Sequence, residues 1–352
     1  MTTRLPALDG LRAVAILAVV GSHVGTTLIP ASFGVTLFFF ISGFIITRLL
    51  LESRSDRLAP FYVRRVFRLA PALFFYVAAC IAAYIIVGGR IRWDDIAAAL
   101  LYYANYHDFR MPPMKTMWSL AVEEHFYLLF PVVLVALRKR PDRLQAVLIG
   151  SLLVCLLWRI CLVSLGFDAE RVQRGTDTRL DSLTYGCLLS LLFSRAQADD
   201  AYRRFLNALS GRAALITGCM LLAASFAVRD EAYRQTLRYS MQGIAFTTFF
   251  CAIFWSQSAP KLVVRILESR PMVFIGAVSY SLYLYHEFGL IFARALAQSE
   301  ASEMAIALAI GIPATLVSFY WIETPARRFG MRLAGRLERS ELQIQRPAGV
   351  RD

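Results

Sequence analysis

Long apolar runs recur along the whole chain of 352 residues, and short segments between them hold most of the charged side chains. A helix needs about 20 mostly apolar residues to cross the hydrocarbon core of a bilayer. The pattern therefore predicts an all-α, polytopic membrane protein with about ten transmembrane helices. The predicted spans are residues 10–28, 34–51, 69–88, 118–137, 145–166, 178–194, 211–228, 238–257, 273–294 and 304–322. The apolar run Ile96–Tyr103 is too short to cross, so we expect it to lie at the surface or to re-enter.

Basic residues are unevenly distributed between the connections, and this asymmetry predicts the orientation. Because cytoplasmic loops carry the excess of Lys and Arg, both termini are predicted to be cytoplasmic. Residues 1–330 form the predicted transmembrane domain, and we expect the basic and polar tail 331–352 to be cytoplasmic and disordered. The basic segments that fix this orientation are 48–68, 138–143, 195–212, 261–270 and 327–339.

Composition narrows the function classes. Hydrophobic residues make up 57% of the chain, and the formal net charge is +13. The arginines lie in short connections between apolar runs, so membrane topology explains the charge and no nucleic-acid partner is expected. The six cysteines lie inside apolar runs without a C-x-x-C pair, which favours buried small side chains over a disulfide framework. The four histidines lack metal-ligand spacing, so we expect no metal site.

The first predicted span contains two ionisable residues, Arg12 and His23, in the stretch LDGLRAVAILAVVGSH. Eleven residues separate them, which is three helical turns plus about 20°, so both side chains share one face about 16 Å apart along the axis. The predicted orientation places Arg12 near the cytoplasmic end and His23 in the outer half. Ionisable residues within a span usually face a cavity or pathway. The alternatives are that Arg12 extends to the interface and that His23 is a packing residue.

The stretch MWSLAVEEHFYLLFP places Glu123 and Glu124 close to the predicted depth of His23, on a span that enters from the outer side. A carboxylate beside an imidazole fixes its tautomer and raises its basicity. Neighbouring residues point about 100° apart on a helix, so only one of the two glutamates needs to face His23. The alternative is that the pair borders a water-filled vestibule.

Polar residues at other span ends suggest further contacts. Arg65 and Arg68 are three residues apart, so they share a face at the cytoplasmic mouth, where guanidinium groups suit phosphate oxygens. Alternatively, they only mark the cytoplasmic side. Arg179 and Asp181 begin a span at the outer side, where they either line a cleft or pair with each other. The segment SYSLYLYHE adds polar groups in the middle to outer part of its span, with packing as the alternative for the tyrosines. Its candidate residues are Tyr285 and His286.

Together these segments resemble the acyltransferase 3 family of integral-membrane O-acyltransferases. The matching motifs are LDGLRAVAILAVVGSH with its R-x10-H spacing, FGVTLFFFISGFIIT, the R-x-x-R of Arg65 and Arg68, WSLAVEEHFYLLFP, and SYSLYLYH followed by IETPARR. They occur in the family's order from residue 8 to about residue 328, which is nearly the whole chain. The resemblance implies ten transmembrane helices and transfer of an acyl group, commonly acetyl from acetyl-CoA, to a hydroxyl.

The resemblance also implies roles for individual residues. His23 would be the catalytic residue, Arg12 would belong to the donor site, and Arg65 with Arg68 would lie near the donor phosphates. His125 departs from the family pattern, which has glutamine at this position, so its role stays open. Further positions that match the family are Trp118, Ser119, Glu123 and Tyr127.

Partners follow from the same resemblance. We expect acyl-CoA as the donor substrate, membrane lipid as the surroundings, and no permanently bound cofactor. The acceptor would be an exported or surface glycan, a lipid-linked sugar or a glycosylated metabolite. Some family members carry a C-terminal hydrolase-like domain that is absent from this sequence, so we expect the membrane domain to complete the transfer or to pass the acyl group to a partner. Assembly of identical chains stays open.

The expected mechanism joins the depth argument to the resemblance. Acyl-CoA would enter from the cytoplasm, and its thioester would reach His23, which Glu123 or Glu124 orients as general base on the acceptor hydroxyl. An acyl-histidine relay is the alternative chemistry. The residues expected on the acceptor side or in support are Trp118, Ser119, Tyr127, Arg179, Asp181, Tyr285 and His286.

Two other function classes must be weighed. A secondary transporter or exporter would use the same polar residues to line a substrate path. The sequence shows no inverted repeat and no matching pair of Gly/Pro-broken helices, which such transporters often have. A lipid-linked glycosyltransferase would need acidic residues in a sizeable first outer loop, whereas residues 26–33 are few and uncharged.

Overall fold

A computed structural model of the protein describes residues 5–23, 29–53 and 56–344. Within these ranges the chain forms helices and turns without any strand, which confirms the predicted all-α class. The helices are α1 Pro6–His23, α2 Ala31–Glu52, α3 Ala59–Ile86, α4 Trp93–Leu100, α5 Trp118–Leu137, α6 Pro141–Ser164, α7 Ala169–Arg174, α8 Thr176–Arg195, α9 Asp200–Leu209, α10 Arg212–Ala227, α11 Glu231–Gln235, α12 Leu237–Phe250, α13 Lys261–Leu267, α14 Arg270–Tyr285, α15 Gly289–Leu296, α16 Glu300–Val317 and α17 Thr324–Ile344. Short 3-10 helices cover Ala104–Tyr106 and Pro112–Met117, and π-helical turns cover Cys251–Trp255 and Ser318–Glu323.

Five helical segments of the described chain are long and apolar enough to cross a membrane, as expected of a multi-pass membrane protein. Helices α9 and α10, bent by 55° at their junction, count as a sixth if they form one span. Other predicted spans correspond to helices that are individually short, such as α12 with 14 residues. The count of ten spans and the cytoplasmic termini therefore stay predictions. The five segments are Ala31–Glu52, Ala59–Ile86, Pro112–Leu137, Pro141–Ser164 and Ser302–Arg339.

Helix boundaries agree closely with the apolar pattern at several places and depart from it at two. The predicted span 118–137 coincides with α5. The prediction of one continuous span over 273–294 is wrong, because α14 ends at Tyr285 and a turn precedes α15. The prediction that the chain is disordered from residue 331 is also wrong for the part up to Ile344, because α17 continues through this segment. Residues 24–28 of the first predicted span, and the tail beyond residue 344, lie outside the described part of the chain.

The first of two compact units comprises Met1–Arg54, Leu101–Phe109 and Lys115–Ser279, and α2 is its central helix. Helix α2 packs against α1, α5, α8 and α12. Its contact with α8 is close enough that a Cβ at Gly43 would overlap the carbonyl group of Leu183. Small residues permit such close backbone packing between helices in membranes, where lipid offers no hydrophobic driving force for association.

Aromatic side chains fill much of the core of this unit. The ring of Phe40 lies 4.7 Å from that of Phe250 and 5.7 Å from that of Phe246, centroid to centroid. Phe33 and Phe44 extend the cluster along α2 towards α10 and α8. The apolar packing holds α2, α8 and α12 in fixed register, which positions the polar side chains at their N-terminal ends.

The second unit comprises Ser55–Leu100, Arg110–Met114 and Tyr280–Asp352. Within it α3 packs along α17, with the rings of Phe67 and Phe329 5.1 Å apart and Arg64 in an ion pair with Glu338 at 2.5 Å. The contacts at Phe329 and Glu338 stabilise the helix beyond residue 331, because α3 packs against this part of α17. Asp95 of α4 accepts hydrogen bonds from the backbone N–H groups of Arg110 and Met111, which anchors this helix within the unit.

Candidate functional site

Arg12 and His23 lie on one uninterrupted helix, α1, as the sequence predicts. Arg12 is half-buried, and His23 is the last residue of the helix and is exposed. Their spacing on a continuous helix corresponds to about 16 Å along the axis on nearly the same face. Helix α1 packs on α2 and on α13, where Gly10 lies directly against the backbone of Leu267.

Glu123 is half-buried on α5 and accepts a hydrogen bond from the Ser42 hydroxyl of α2 at 3.0 Å. Because α2 packs against both α1 and α5, it connects the helix that carries His23 with the helix that carries Glu123. Ser42 gave no signal in the sequence, since a single serine in an apolar helix is common. Glu124 is half-buried as well. The pairing of either glutamate with His23 stays a prediction.

His125 belongs to a polar network at the start of α8. Its Nδ1 lies 2.7 Å from the hydroxyl oxygen of Thr176, which also accepts a hydrogen bond from Asn105 at 2.9 Å. The next residue, Asp177, forms an ion pair with Arg171 of α7 at 2.6 Å. The hydrogen bond to Asp177 raises the pKa of Arg171 above its ordinary value. The histidine that departs from the family pattern therefore has a structural partner on α8.

Arg179 and Asp181 are both buried on α8, and the alternative that they pair with each other is wrong. Asp181 forms its ion pair with Arg159 of α6, with Nη1 and Oδ2 2.7 Å apart, rather than with Arg179. Arg179 is 0 % exposed, and its place at an acceptor cleft stays a prediction. It donates a hydrogen bond to the Thr36 hydroxyl of α2 at 2.9 Å.

Aromatic rings surround the Arg179 guanidinium. The guanidinium carbon lies 3.8 Å from the ring centre of Tyr239 and 5.9 Å from that of Trp118. Trp118 and Ser119 are buried at the start of α5, and Tyr127 is buried two turns further on. The structure thus brings Trp118 to Arg179, two residues that the sequence analysis considered separately. Arg159 and Tyr239 were missed, although an arginine within the apolar run LLWRICLV was a visible signal.

Four predicted residues lie in the second unit. Arg65 and Arg68 are half-buried on α3, three residues apart on one face as predicted. Tyr285 is buried, with its ring 5.2 Å from that of Tyr76. His286 does not lie within a helix as expected, because α14 ends one residue earlier, and its Nδ1 lies 2.7 Å from the carbonyl oxygen of Tyr283.

Comparison with known proteins places this geometry in context. A family model described as an acyltransferase domain matches residues 5–323. The O-acetyltransferase OatA of Staphylococcus aureus (strain MRSA252) is 31% identical over 366 aligned residues, which cover 97% of this chain and 60% of the relative. A putative O-acetyltransferase of the same species (strain COL) is 30% identical over 358 residues, covering 93% and 58% respectively. The chain therefore spans about 60% of the length of the curated relatives it matches. No solved structure matches it significantly.

Proposed function

The chain belongs to the acyltransferase family whose model covers residues 5–323, and we propose that it is a membrane O-acetyltransferase. It transfers an acyl group, acetyl in the first instance, from acyl-CoA to a hydroxyl of a sugar-containing acceptor. The observation that carries this proposal is the placement of Arg12 and His23 on the single helix α1, within the matched region. The similarity to relatives named O-acetyltransferases supports the acetyl group.

In this proposal three arginines bind the donor, namely Arg12 of α1 and Arg65 and Arg68 of α3. Arg12, Arg65 and Arg68 carry permanent positive charges that suit the phosphates of CoA. A phosphate site at Arg12 leaves about 16 Å of helix between it and His23. The extended pantetheine arm spans this distance and brings the thioester to the imidazole.

The chemistry assigned to His23 is general base catalysis. The imidazole takes the proton of the acceptor hydroxyl while the hydroxyl oxygen attacks the thioester carbonyl carbon. The carbon–sulfur bond then breaks, and the imidazolium gives its proton to the CoA thiolate, which restores the neutral His23 and releases CoA as a free thiol. Glu123, fixed by Ser42 at 3.0 Å, or Glu124 orients the imidazole. In the alternative chemistry His23 is itself acylated and then passes the acyl group to the hydroxyl.

The membrane arrangement of the proposal has ten spans with both termini cytoplasmic, in the plasma (inner) membrane of a bacterium. The acceptor, an exported or lipid-linked glycan or a glycosylated small molecule, then approaches from the outer side. Donor and acceptor thereby meet within the membrane, and the acetylated product is formed on the side where the glycan is displayed.

The test uses membranes that contain the full chain and follows release of free CoA thiol from acetyl-CoA. His23→Ala should reduce the rate at least about 100-fold, the usual contribution of a general base. His107→Ala is the matched control, because the proposal assigns His107 no role in the transfer, and it should leave the rate unchanged. Full activity in well-expressed His23→Ala protein would reject the catalytic role. A transporter would release no thiol even in the wild type.

The acceptor class is found by mass spectrometry of surface glycans and lipids from cells with and without the protein. Cells that lack it should lose one acetyl mass from a defined species, and His23→Ala should reproduce that loss. Identical spectra with and without the protein would contradict a glycan or lipid acceptor.

A further inference from the structure

A buried cluster of charged side chains within the first unit is not used by the proposed transfer reaction. We define the Arg179 cluster as Arg159, Arg179, Arg238, Asp181 and Tyr239. Arg159 and Arg179 are 0 % exposed, Asp181 is 1 % exposed and Arg238 is 6 % exposed. Charges this deeply buried are costly unless they are paired, so their balance shows whether the cluster is complete.

The charges of the Arg179 cluster do not balance. Arg159 is neutralised by Asp181 at 2.7 Å and donates further hydrogen bonds to the Thr178 carbonyl and the Ser240 hydroxyl. Among the described residues, no carboxylate lies within ion-pair distance of Arg179 or Arg238. Three guanidinium groups thus share one carboxylate, which leaves two uncompensated positive charges.

Hydrogen bonding at Arg179 is incomplete as well. Its Nη2 donates to Thr36, but Nε and Nη1 have no hydrogen-bond partner among the residues that the structure describes. The aromatic rings of Tyr239 and Trp118 interact with the guanidinium carbon but offer no oxygen acceptors to its N–H groups. A buried donor without an acceptor is unfavourable, and guanidinium N–H groups pair best with carboxylate or phosphate oxygens.

Helix ends add to the positive potential at this point. Arg179 is the fourth residue of α8, Arg238 is the second residue of α12, and Trp118 is the first residue of α5. The N-terminus of a helix carries a partial positive charge and stabilises anions, so arginines in the first turn are in an unfavourable place. Three such ends and two uncompensated arginines converge here, and the one carboxylate of the cluster, Asp181, is already paired with Arg159.

We infer that the Arg179 cluster binds an oxygen-bearing anionic group, a carboxylate or a phosphate, carried by the acceptor. Thr36, which holds Arg179, lies six residues before Ser42 on α2, and Ser42 holds Glu123. The cluster is therefore about 9 Å along α2 from the proposed catalytic carboxylate, within reach of a second group on a sugar acceptor. The assignment of the anion to the acceptor rests on the proposed function. The anion site itself rests only on the unbalanced charges and the unpaired N–H groups of the Arg179 cluster.

The experiment measures anion binding to the purified full chain in detergent, without acetyl-CoA. The probes are inorganic phosphate and acetate, compared with neutral acetamide and with chloride at the same ionic strength. Trp118 lies close to Arg179, so tryptophan fluorescence should respond together with Tm. We expect a saturable response to phosphate, acetate or both. Phosphate alone would indicate a phosphorylated acceptor, and acetate alone an acceptor with a carboxylate.

Variants locate the response. Arg179→Gln should weaken probe binding at least about tenfold, as expected when a charge-assisted hydrogen bond is lost. Arg195→Gln is the matched control, because Arg195 lies at the other end of the same helix and pairs with Asp142. If Arg179→Gln protein does not fold, the less buried Arg238→Gln should show the same loss.

Three results would overturn the inference. They are the lack of a saturable response in the wild type, an equal response to chloride, and wild-type affinity in both arginine variants. Thiol release from acetyl-CoA, measured on the same preparations, separates this inference from the proposed function. Probe binding without thiol release would support the anion site and reject the proposed transferase activity. Thiol release without probe binding would support the transferase activity and reject the anion site.

Discussion

Replacing Asp181 by Asn should destabilise the protein strongly, because it removes the one carboxylate of the Arg179 cluster. The substitution keeps the side-chain shape and leaves Arg159 buried and charged. Two unit charges about 4 Å apart interact by about 4 kcal/mol at an effective dielectric constant of 20. Removal of one partner of a buried pair typically costs about 3–5 kcal/mol. Arg159 keeps its hydrogen bonds to Thr178 and Ser240, so we expect a loss of about 3 kcal/mol.

The assay is reversible unfolding of the purified protein in mixed micelles, with helical circular dichroism as the signal. Asp142→Asn is the control, because Asp142 pairs with Arg195 at a similar distance, 2.6 Å, but is 84% exposed. Exposed pairs contribute about 0–1 kcal/mol, so this variant should unfold almost like the wild type. Equal losses in the two variants would refute the argument that burial makes Asp181 important. Replacing Arg159 and Asp181 together by Met and Leu should recover most of the stability.

Two further predictions concern helix packing and donor binding. Gly43→Ala should lower the free energy of unfolding by about 1–3 kcal/mol, because the added Cβ overlaps the Leu183 backbone. In the same unfolding assay the control Gly150→Ala, whose new Cβ meets open space, should be neutral or slightly stabilising. The Arg65→Ala/Arg68→Ala double variant should raise the KM for acetyl-CoA at least about tenfold, because contacts with the phosphates are lost. Arg64→Ala, which removes only an exposed ion pair with Glu338, should leave this KM unchanged. Equal stability of the two glycine variants, or an unchanged KM, would contradict the respective prediction.

The sequence by itself determined the class of the protein and the positions of most helices. Apolar runs of membrane-spanning length can hardly be anything other than helices in lipid, since only helices satisfy their own backbone hydrogen bonds there. The span 118–137 therefore matches α5 in both bounds. The spacing of Arg12 and His23 also needed no tertiary information, because both lie on one helix whose geometry fixes their separation.

Only the tertiary structure decided which polar side chains meet. Asp181 pairs with Arg159 because α8 packs against α6, and the Ser42 hydroxyl donates to Glu123 because α2 packs against α5. Helical periodicity shows which residues share a face, but in lipid-like apolar helices many faces are equally hydrophobic. Close packing at small residues such as Gly43 then decides which helix each face contacts, and this packing joins segments far apart in the chain.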